Sequence, residues 1–351
     1  MSTRKPVIIT AGQDIAARKA LSGTRLRCLL ALRTSLARAV ACGARVEDVE
    51  MSGKWKSSYR EGEVGYVACP LCRSEEARTV AVEWSLVIAR CKSCGMVYTR
   101  RRLADPHGLY RGEASAFQEK YGAVIRGDVA HTRQPNYEQV LDRLELFRPV
   151  GGGSLLDVGP HIGFFMRAAQ ARGWNVTGVE QSPVLAELAR SELGLDVRTG
   201  YLGELDLEQA FDVVTFLDVL EHVPDPVETL LLARKGVREG GIVLAKVPNL
   251  RWNLLKQRVG KPLLQDRIDI FDAREHLLQF DERTLLYAFE RAGLEPAELF
   301  VPRPVQTGAR ARRVLRAAAS TTGRAAFRVT GSASALCTDL VAIGRRGTPS
   351  P

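Results

Sequence analysis

The chain has 351 residues, of which 45% are hydrophobic and 26% are charged, and its formal net charge is +10. This composition is typical of a globular protein, and the length suits one α/β domain with smaller additions. The chain contains no run of about 18 apolar residues, so we expect no membrane span. Its first residues lack the apolar core of a secretory signal.

The positive charge lies at the two ends of the chain. Residues 1–60 and residues 301–351 each carry a net charge of +8, whereas the 240 residues between them carry −6. Basic ends indicate either solvated tails or arms that bind a polyanion such as RNA. We interpret residues 1–65 as a weakly structured basic extension. An organellar presequence and a translation start at Met51 are the alternatives.

Four cysteines between residues 66 and 100 have the spacing of a metal site. Cys69 and Cys72 form one C-x₂-C turn, Cys91 and Cys94 form another, and 18 residues separate the two turns. Four thiolates around one ion give a closed tetrahedral Zn²⁺ site, which leaves no position for a reacting ligand. The sequence therefore predicts a structural zinc ribbon. Disulfides are the alternative, but the missing signal peptide favours a reducing compartment, and we expect a cytoplasmic protein.

From residue 151 to residue 345 short apolar strands alternate with amphipathic helices. The predicted strands lie near residues 154–158, 174–180, 195–198, 211–217, 241–247, 294–301 and 336–344. The predicted helices between them lie near residues 163–172, 183–193 and 226–238. Such alternation predicts a mostly parallel sheet covered by helices on both faces. We interpret residues 101–150 as a helical connector, 302–335 as a basic, flexible insertion and 346–351 as a tail.

A glycine loop follows the first strand of this alternating region. After Asp157, two glycines four positions apart, Gly159 and Gly163, precede a helix. The glycines let the backbone approach a ligand closely, and the helix N-terminus offers unpaired N–H groups. The second strand ends on Glu180, whose carboxylate suits the two hydroxyls of a ribose. The loop lacks the middle glycine of the dinucleotide-binding pattern, so a different nucleotide-type ligand is indicated.

This loop and two later segments resemble those of class I S-adenosylmethionine-dependent methyltransferases. Asp157–Gly163 is similar to the family's E/D-x-G-x-x-x-G loop, and Val219–Pro226 to its V-L-E-H-V-x-D-P segment. Glu275–Phe280 resembles the H-L-x-x-F segment of a bacterial subgroup. The resemblance covers about residues 137–345. It implies a Rossmann-like, mostly parallel sheet of seven strands with an antiparallel last strand, joined to the small N-terminal zinc ribbon.

The resemblance also implies a site for S-adenosylmethionine. The residues expected to bind this cofactor are Asp157, Gly159, Gly163, Glu180, Tyr201, Leu202, Asp218 and Val219. Glu180 is expected to hold the ribose hydroxyls. Tyr201 and Leu202 are expected to lie against the adenine. Asp218 and Val219 are expected to border the methionine end.

Two histidines are the candidate catalytic residues. Methyl transfer is an in-line displacement in which a protein supplies alignment and, for a hydroxyl acceptor, a general base. Histidine suits that role near neutral pH. His222 follows the fourth predicted strand at the edge where such sheets bind ligands, and His276 shortly precedes a predicted helix cap, Asp281. For both, a purely structural role beside a helix start is the alternative.

The sequence therefore predicts a methyltransferase that uses S-adenosylmethionine and a structural Zn²⁺. The expected acceptor is a small molecule, with O-methylation of a sugar, a lipid or a specialised metabolite favoured. One alternative is an RNA methyltransferase that holds phosphates with the ribbon and the basic ends. The other is a non-catalytic zinc scaffold on a degenerate methyltransferase fold. The identity of the acceptor and the oligomeric state do not follow from the sequence.

Overall fold

The computed structural model of the chain describes residues 59, 62–104, 114–147, 153–264, 269–303, 305, 310–330 and 335–347. The basic extension predicted for residues 1–65 lies almost entirely outside these ranges and stays a prediction. Among the described residues, no helix combines the length and the apolar character needed to cross a membrane.

Strands and helices alternate from β5 onward, as the sequence predicts. The strands, in chain order, are β1 (Val64–Tyr66), β2 (Ala77–Glu83), β3 (Leu86–Cys91), β4 (Val97–Leu103), β5 (Ser154–Val158), β6 (Asn175–Glu180), β7 (Asp196–Thr199), β8 (Phe211–Leu217), β9 (Val237–Pro248), β10 (Leu278–Gln279), β11 (Leu294–Phe300) and β12 (Asp339–Arg346). The α-helices are α1 (Ala114–Ile125), α2 (Gln134–Phe147), α3 (Phe164–Ala171), α4 (Pro183–Leu193), α5 (Pro226–Gly236), α6 (Leu250–Leu264), α7 (Glu282–Arg291) and α8 (Arg310–Thr330).

The larger sheet has seven strands in the order β11-β12-β9-β8-β5-β6-β7. Neighbours among β5 to β9 are parallel, whereas β12 runs antiparallel to both β9 and β11. The predicted Rossmann-like sheet, mostly parallel with an antiparallel last strand, is confirmed. The winding of the chain reverses between β5 and β8. Ligands of such sheets bind beside this switch point, at the carboxyl ends of the strands.

Local capping signals fix the beginnings of two helices near that edge. α5 begins after Asp225, whose carboxylate accepts the amide hydrogens of Val227 and Glu228 at 3.1 Å. α7 begins after Asp281, whose carboxylate accepts the amide hydrogen of Thr284 at 2.9 Å. Such caps satisfy N–H groups that have no partner within the helix. Both caps follow closely after a segment that carries one of the candidate histidines.

The cysteine region shares a sheet with the second half of the chain. β1 to β4 form an antiparallel sheet in the order β1-β4-β3-β2, and β10 also pairs with β4. Leu278 pairs with Tyr98, and Gln279 pairs with Val97. The predicted ribbon at residues 66–100 is therefore joined to the α/β layers by backbone pairing, a connection between distant segments that spacing along the chain does not reveal.

One apolar core continues from the cysteines into the larger domain. Cys69, Met96 and Tyr98 are buried in the same cluster as Leu278 and Phe280. A ribbon of about 35 residues has too little apolar surface to stabilise itself. The shared core supplies part of the burial that the ribbon alone lacks.

Two segments outside the sheets also form helices. The helical connector expected at residues 101–150 contains α2, which buries Val140, Leu141 and Leu144. Residues 302–335, expected to be flexible, contain α8 over Arg310–Thr330. Alanine and arginine have high helix propensity, and the prediction weighed only the charge of this segment.

Candidate active site

The glycine loop turns the chain from β5 into α3 through three residues with positive φ. These are Gly159 (φ 67°), His161 (φ 58°) and Gly163 (φ 92°). A Cβ atom on Gly159 would lie 2.7 Å from Cγ2 of Val219, and one on Gly163 would lie 2.2 Å from Cδ1 of Leu195. Both positions therefore require glycine for conformation and for space.

Glu180 braces this loop from the end of β6. Its Oε2 accepts the amide hydrogen of His161 at 3.0 Å, and its Oε1 accepts that of Ser182 at 2.9 Å. Burial raises the pKa of the Glu180 carboxyl, although the two backbone N–H groups oppose this shift. Each carboxylate oxygen has two lone pairs, so both can also accept a hydroxyl from a ligand.

Asp157 lies beside Glu180 at the end of β5. Its Oδ1 accepts the hydroxyl hydrogen of Thr215 at 2.7 Å, and only 2% of the residue is exposed. Burial raises the pKa of Asp157 to about 7, and the nearby charge of Glu180 adds to the shift. The two carboxylates flank the glycine loop at its strand end.

A network of two cations and two carboxylates surrounds the tip of β8. Asp218 (φ 59°) pairs with both Arg133 and Lys246, and Lys246 Nζ lies 3.1 Å from Asp339 Oδ1. Burial opposes ionisation of Asp218, but Lys246 and Arg133 hold its pKa below the usual value. Lys246 is 3% exposed, and its carboxylate partners raise its pKa against the effect of burial, so it stays charged.

The turn after β7 contributes a further group of side chains to the site. Tyr201 precedes the 3-10 turn Leu202–Glu204, and its amide hydrogen is donated to Glu204 Oε2 at 2.9 Å. The Tyr201 side chain is 47% exposed, whereas Leu202 is buried. An exposed aromatic ring beside a buried leucine offers a flat apolar surface of the kind that suits a planar base.

The structure brings the two candidate histidines together. The rings of His222 and His276 have centroids 4.7 Å apart and cross at 72°. Nδ1 of His222 lies 2.9 Å from the carbonyl oxygen of Glu275. A carbonyl only accepts, so Nδ1 carries the hydrogen and Nε2 is the nitrogen that takes a proton.

Burial keeps both rings neutral. It lowers the pKa of His276 to about 3, with the neighbouring His222 adding to the shift, and it also lowers the pKa of His222. Glu221 Oε1 lies 4.0 Å from His222 Nε2. Both carboxylate oxygens of Glu221 are buried without a hydrogen-bond partner among the described residues. Burial raises the pKa of Glu221, and the charge of Asp218 adds to the shift.

Within the described ranges, two groups of side chains have the geometry to hold a metal ion. The Sγ atoms of Cys69 and Cys94 lie 3.6 Å apart, those of Cys72 and Cys91 lie 3.5 Å apart, and all four thiols are free. A tetrahedral Zn²⁺ with Zn–S bonds of about 2.3 Å needs Sγ–Sγ distances of roughly 3.8 Å, so these residues fit the ion. The second group is Glu221, His222 and His276, whose ligand atoms lie within 4.8 Å of one another.

Most of the predicted site residues line one cavity of about 1310 Å³. The predicted residues on its wall are Asp157, Gly159, Glu180, Tyr201, Leu202, Asp218, Val219, His222 and His276. Gly163 is not on this wall. It precedes α3 as the N-cap residue and shapes the loop from behind. The four cysteines lie outside the cavity.

Sequence reasoning missed two parts of this wall. One is the charged network, because Arg133 and Lys246 belong to no recognised motif; the available signal was a lysine inside the apolar run of β9. The other is an aromatic cover from the connector. The ring of His161 lies edge-on to Tyr121 at 5.3 Å and to Phe117 at 5.5 Å between ring centroids. The ring of His131 stacks on that of Phe164.

Comparison with known proteins agrees with this geometry. A family model described as a methyltransferase domain matches residues 129–299. A ubiquinone biosynthesis O-methyltransferase of Pseudomonas entomophila is 36% identical over 107 residues, which is 28% of this chain and 46% of the relative. One from Paramagnetospirillum magneticum is 34% identical over 109 residues, 30% of this chain and 44% of the relative. The chain thus spans less than half the length of these curated relatives.

Among solved structures, a Burkholderia thailandensis 1,6-didemethyltoxoflavin-N1-methyltransferase with bound 1,6-didemethyltoxoflavin and S-adenosylhomocysteine matches 77% of this chain and 99% of its own. The identity is 19% and the TM-score is 0.42, a level of similarity that says nothing about activity or substrate. The family match and the strand order, in contrast, agree on the class. Residues 129–299 match a methyltransferase-domain family, and the strand order of the sheet is the one expected of a class I S-adenosylmethionine-dependent methyltransferase, which confirms the predicted class for this domain.

Proposed function

We propose that the protein transfers a methyl group from S-adenosylmethionine to a hydroxyl of a small-molecule acceptor. The observation that carries the proposal is one cavity with Glu180 on one side of β5 and the pair of His222 and His276 on the other. Its volume of about 1310 Å³ exceeds that of a pocket for one small ligand. The names of the curated O-methyltransferase relatives support a hydroxyl acceptor.

The predicted cofactor residues have the chemistry that S-adenosylmethionine needs. When bound, this cofactor supplies an electrophilic methyl group. Glu180 would accept hydrogen bonds from the ribose hydroxyls, and Tyr201 and Leu202 would flank the adenine. The paired charges of Arg133 and Asp218 border the methionine end, where an amino group and a carboxylate need partners of opposite charge.

The histidine pair removes the acceptor proton. His222 donates a hydrogen bond from Nδ1 to the carbonyl oxygen of Glu275, which fixes the ring and leaves Nε2 able to take a proton. An acceptor hydroxyl beside Nε2 would pass its proton to this ring nitrogen, and the bound cofactor would supply the methyl group to the acceptor oxygen. General-base catalysis of this kind contributes about 10²–10⁴-fold. The ring of His276 lies 4.7 Å from that of His222 between centroids, where it orients the His222 ring or relays the proton.

An assay with methyl-labelled cofactor and a panel of hydroxylated aromatic, sugar and lipid acceptors tests the proposal. We expect label on an acceptor oxygen, and His222→Gln should lower the turnover number by about 100-fold with little change in cofactor affinity. Transfer only to nitrogen would contradict O-methylation. Label found only on RNA, with binding that weakens steeply as salt rises, would favour the nucleic-acid alternative instead.

We further propose that the four cysteines hold a structural Zn²⁺. Their Sγ distances of 3.5–3.6 Å support tetrahedral coordination, and four protein ligands leave no open position for a substrate. Reduced thiols kept for a metal are typical of a reducing compartment, which favours the cytoplasm.

A further inference from the structure

The cysteine ribbon contacts both segments that carry the candidate histidines. The first contact is at the first C-x₂-C turn. Arg73, directly after Cys72, pairs with the carboxylate of Asp225. Asp225 is also the cap of α5, and it lies three residues after His222. The turn that holds two of the four thiols is thereby joined to the end of the His222 segment.

The second contact is at the second C-x₂-C turn. Arg283, in the first turn of α7, donates a hydrogen bond from Nη2 to the carbonyl oxygen of Cys94 at 2.9 Å. The cap of α7 is Asp281, five residues after His276. Each C-x₂-C turn is therefore joined to the helix that follows one of the two histidine segments.

The third contact reaches the histidine itself. Thr99 in β4 is 1% exposed, and its amide hydrogen is donated to the carbonyl oxygen of Leu277 at 2.9 Å. The Thr99 hydroxyl lies 3.3 Å from the carbonyl oxygen of His276 and 3.5 Å from that of Ala273. Thr99 lies only five positions after Cys94, so the backbone of His276 is fixed by the strand that leaves the second C-x₂-C turn.

The same strand, β4, also fixes the segment that carries His222. The amide hydrogen of Leu278, which pairs with Tyr98 in β4, is donated to the carbonyl oxygen of Glu221 at 3.0 Å. The segments of His222 and His276 are thus held against each other through β10 and β4. The cofactor loop has its own support, since Glu180 holds it through the amide of His161.

We propose that the metal-bound ribbon is a positioning element of the active site, which sets the separation of His222 and His276, and that Thr99 is the positioning residue through which it acts. This inference rests on the proposed function only in taking the two histidines as the acceptor-side groups. It assigns the ribbon a role beyond stability. Changes in the ribbon should disturb the histidine pair and leave the cofactor half intact.

The test compares Thr99→Val, which keeps the shape of the side chain but removes the hydroxyl, with Thr99→Ser, which keeps the hydroxyl. We expect Thr99→Val to shift the imidazole NMR signals of His222 and His276 and to lower the turnover number by about tenfold. The dissociation constant for S-adenosylmethionine should stay within about twofold. Thr99→Ser should restore both the signals and the rate.

Removal of the metal by a chelator is the second arm, with the same imidazole signals and cofactor affinity as readouts. We expect the two histidine signals to change while cofactor affinity is retained, and zinc addition to reverse the change. The inference is overturned if those signals do not move in either arm, or if cofactor affinity falls in parallel with them. The NMR readout needs no acceptor, so it is separate from a failure of the proposed function, which would show as absent methyl transfer in the unaltered protein.

Discussion

At the scale of single residues, the site is organised by charges whose partners come from different parts of the chain. Asp218 is held by Arg133 and by Lys246, which is 3% exposed. Taking an unpaired ion out of water costs several kcal/mol, so each charge depends on the others. The motif predicts Asp218, but no local pattern predicts Arg133, because the pair joins the connector to the tip of a strand.

The proposed role of the histidine pair predicts a defined dependence of the reaction on pH. Burial disfavours the imidazolium form and lowers the pKa of His222 and of His276, the latter to about 3. Both rings therefore stay neutral and able to accept a proton down to pH values below the ordinary histidine value of about 6.5. We expect the turnover number to be level around neutral pH and to fall only under more acidic conditions.

The pH profile of the turnover number at saturating cofactor and acceptor measures this directly. His222→Gln should flatten the acid limb as well as lower the rate. An acid limb centred at or above about 6.5 in the unaltered protein would contradict the account, because it would mean that the base is an exposed histidine or another group.

At the scale of elements, periodicity and capping signals predict the α/β region closely. The strand expected at residues 211–217 is β8, and the helix expected at 183–193 is α4. These elements are set by short-range patterns, namely apolar runs, proline after a cap and glycine at an end. The pairing of β10 with β4 joins residues far apart in the chain, and no short-range pattern encodes it.

Two glycines with nearly equal φ separate the effect of conformation from that of space. Gly159 has φ 67°, and a Cβ atom added to it would lie 2.7 Å from Cγ2 of Val219. Gly194 has φ 64°, and a Cβ atom added there would have no atom within 4 Å. Gly194→Ala should cost about 1 kcal/mol of the free energy of unfolding for the left-handed backbone alone. Gly159→Ala should cost at least about 1 kcal/mol more and should weaken cofactor binding.

Urea denaturation of the two variants, together with calorimetric cofactor titration, measures both effects. Equal losses of stability and unchanged cofactor affinity for Gly159→Ala would show that the loop does not need the close approach to Val219.

At the scale of the whole molecule, the part of the chain that the structure describes contains two sheets, which are joined by β10 and by a shared apolar core. The cysteine spacing predicts the ribbon, and the alternation of strands and helices together with the family resemblance predicts the Rossmann-like domain. Their union depends on contacts such as that of Arg283 with Cys94, which are visible only in three dimensions. The aromatic cover from the connector is a similar case, since Tyr121 meets His161 only after the connector folds back on the glycine loop.

Because the ribbon shares an apolar core with the larger domain, we expect the metal to contribute to the thermal stability of the protein. Metal analysis should find about one zinc per chain, and Cys91→Ser should lower both the zinc content and the melting temperature, because a structural site contributes folding energy. Cys337→Ala is the matched control, since that buried thiol lies outside the cluster of four. Metal-free protein with the melting temperature of the purified protein would argue against a structural zinc.

The central claim is that one cavity binds S-adenosylmethionine through the carboxylate at the end of β6. Calorimetric titration of the cofactor into the full chain and into Glu180→Ala tests it most directly. Glu187→Ala is the control, because that carboxylate pairs with Arg190 on the outside of α4. We predict one cofactor per chain, at least about tenfold weaker binding for Glu180→Ala, equivalent to about 1.4 kcal/mol, and no change for Glu187→Ala. Absence of binding to the unaltered chain, or equal affinity in all three proteins, would contradict the account.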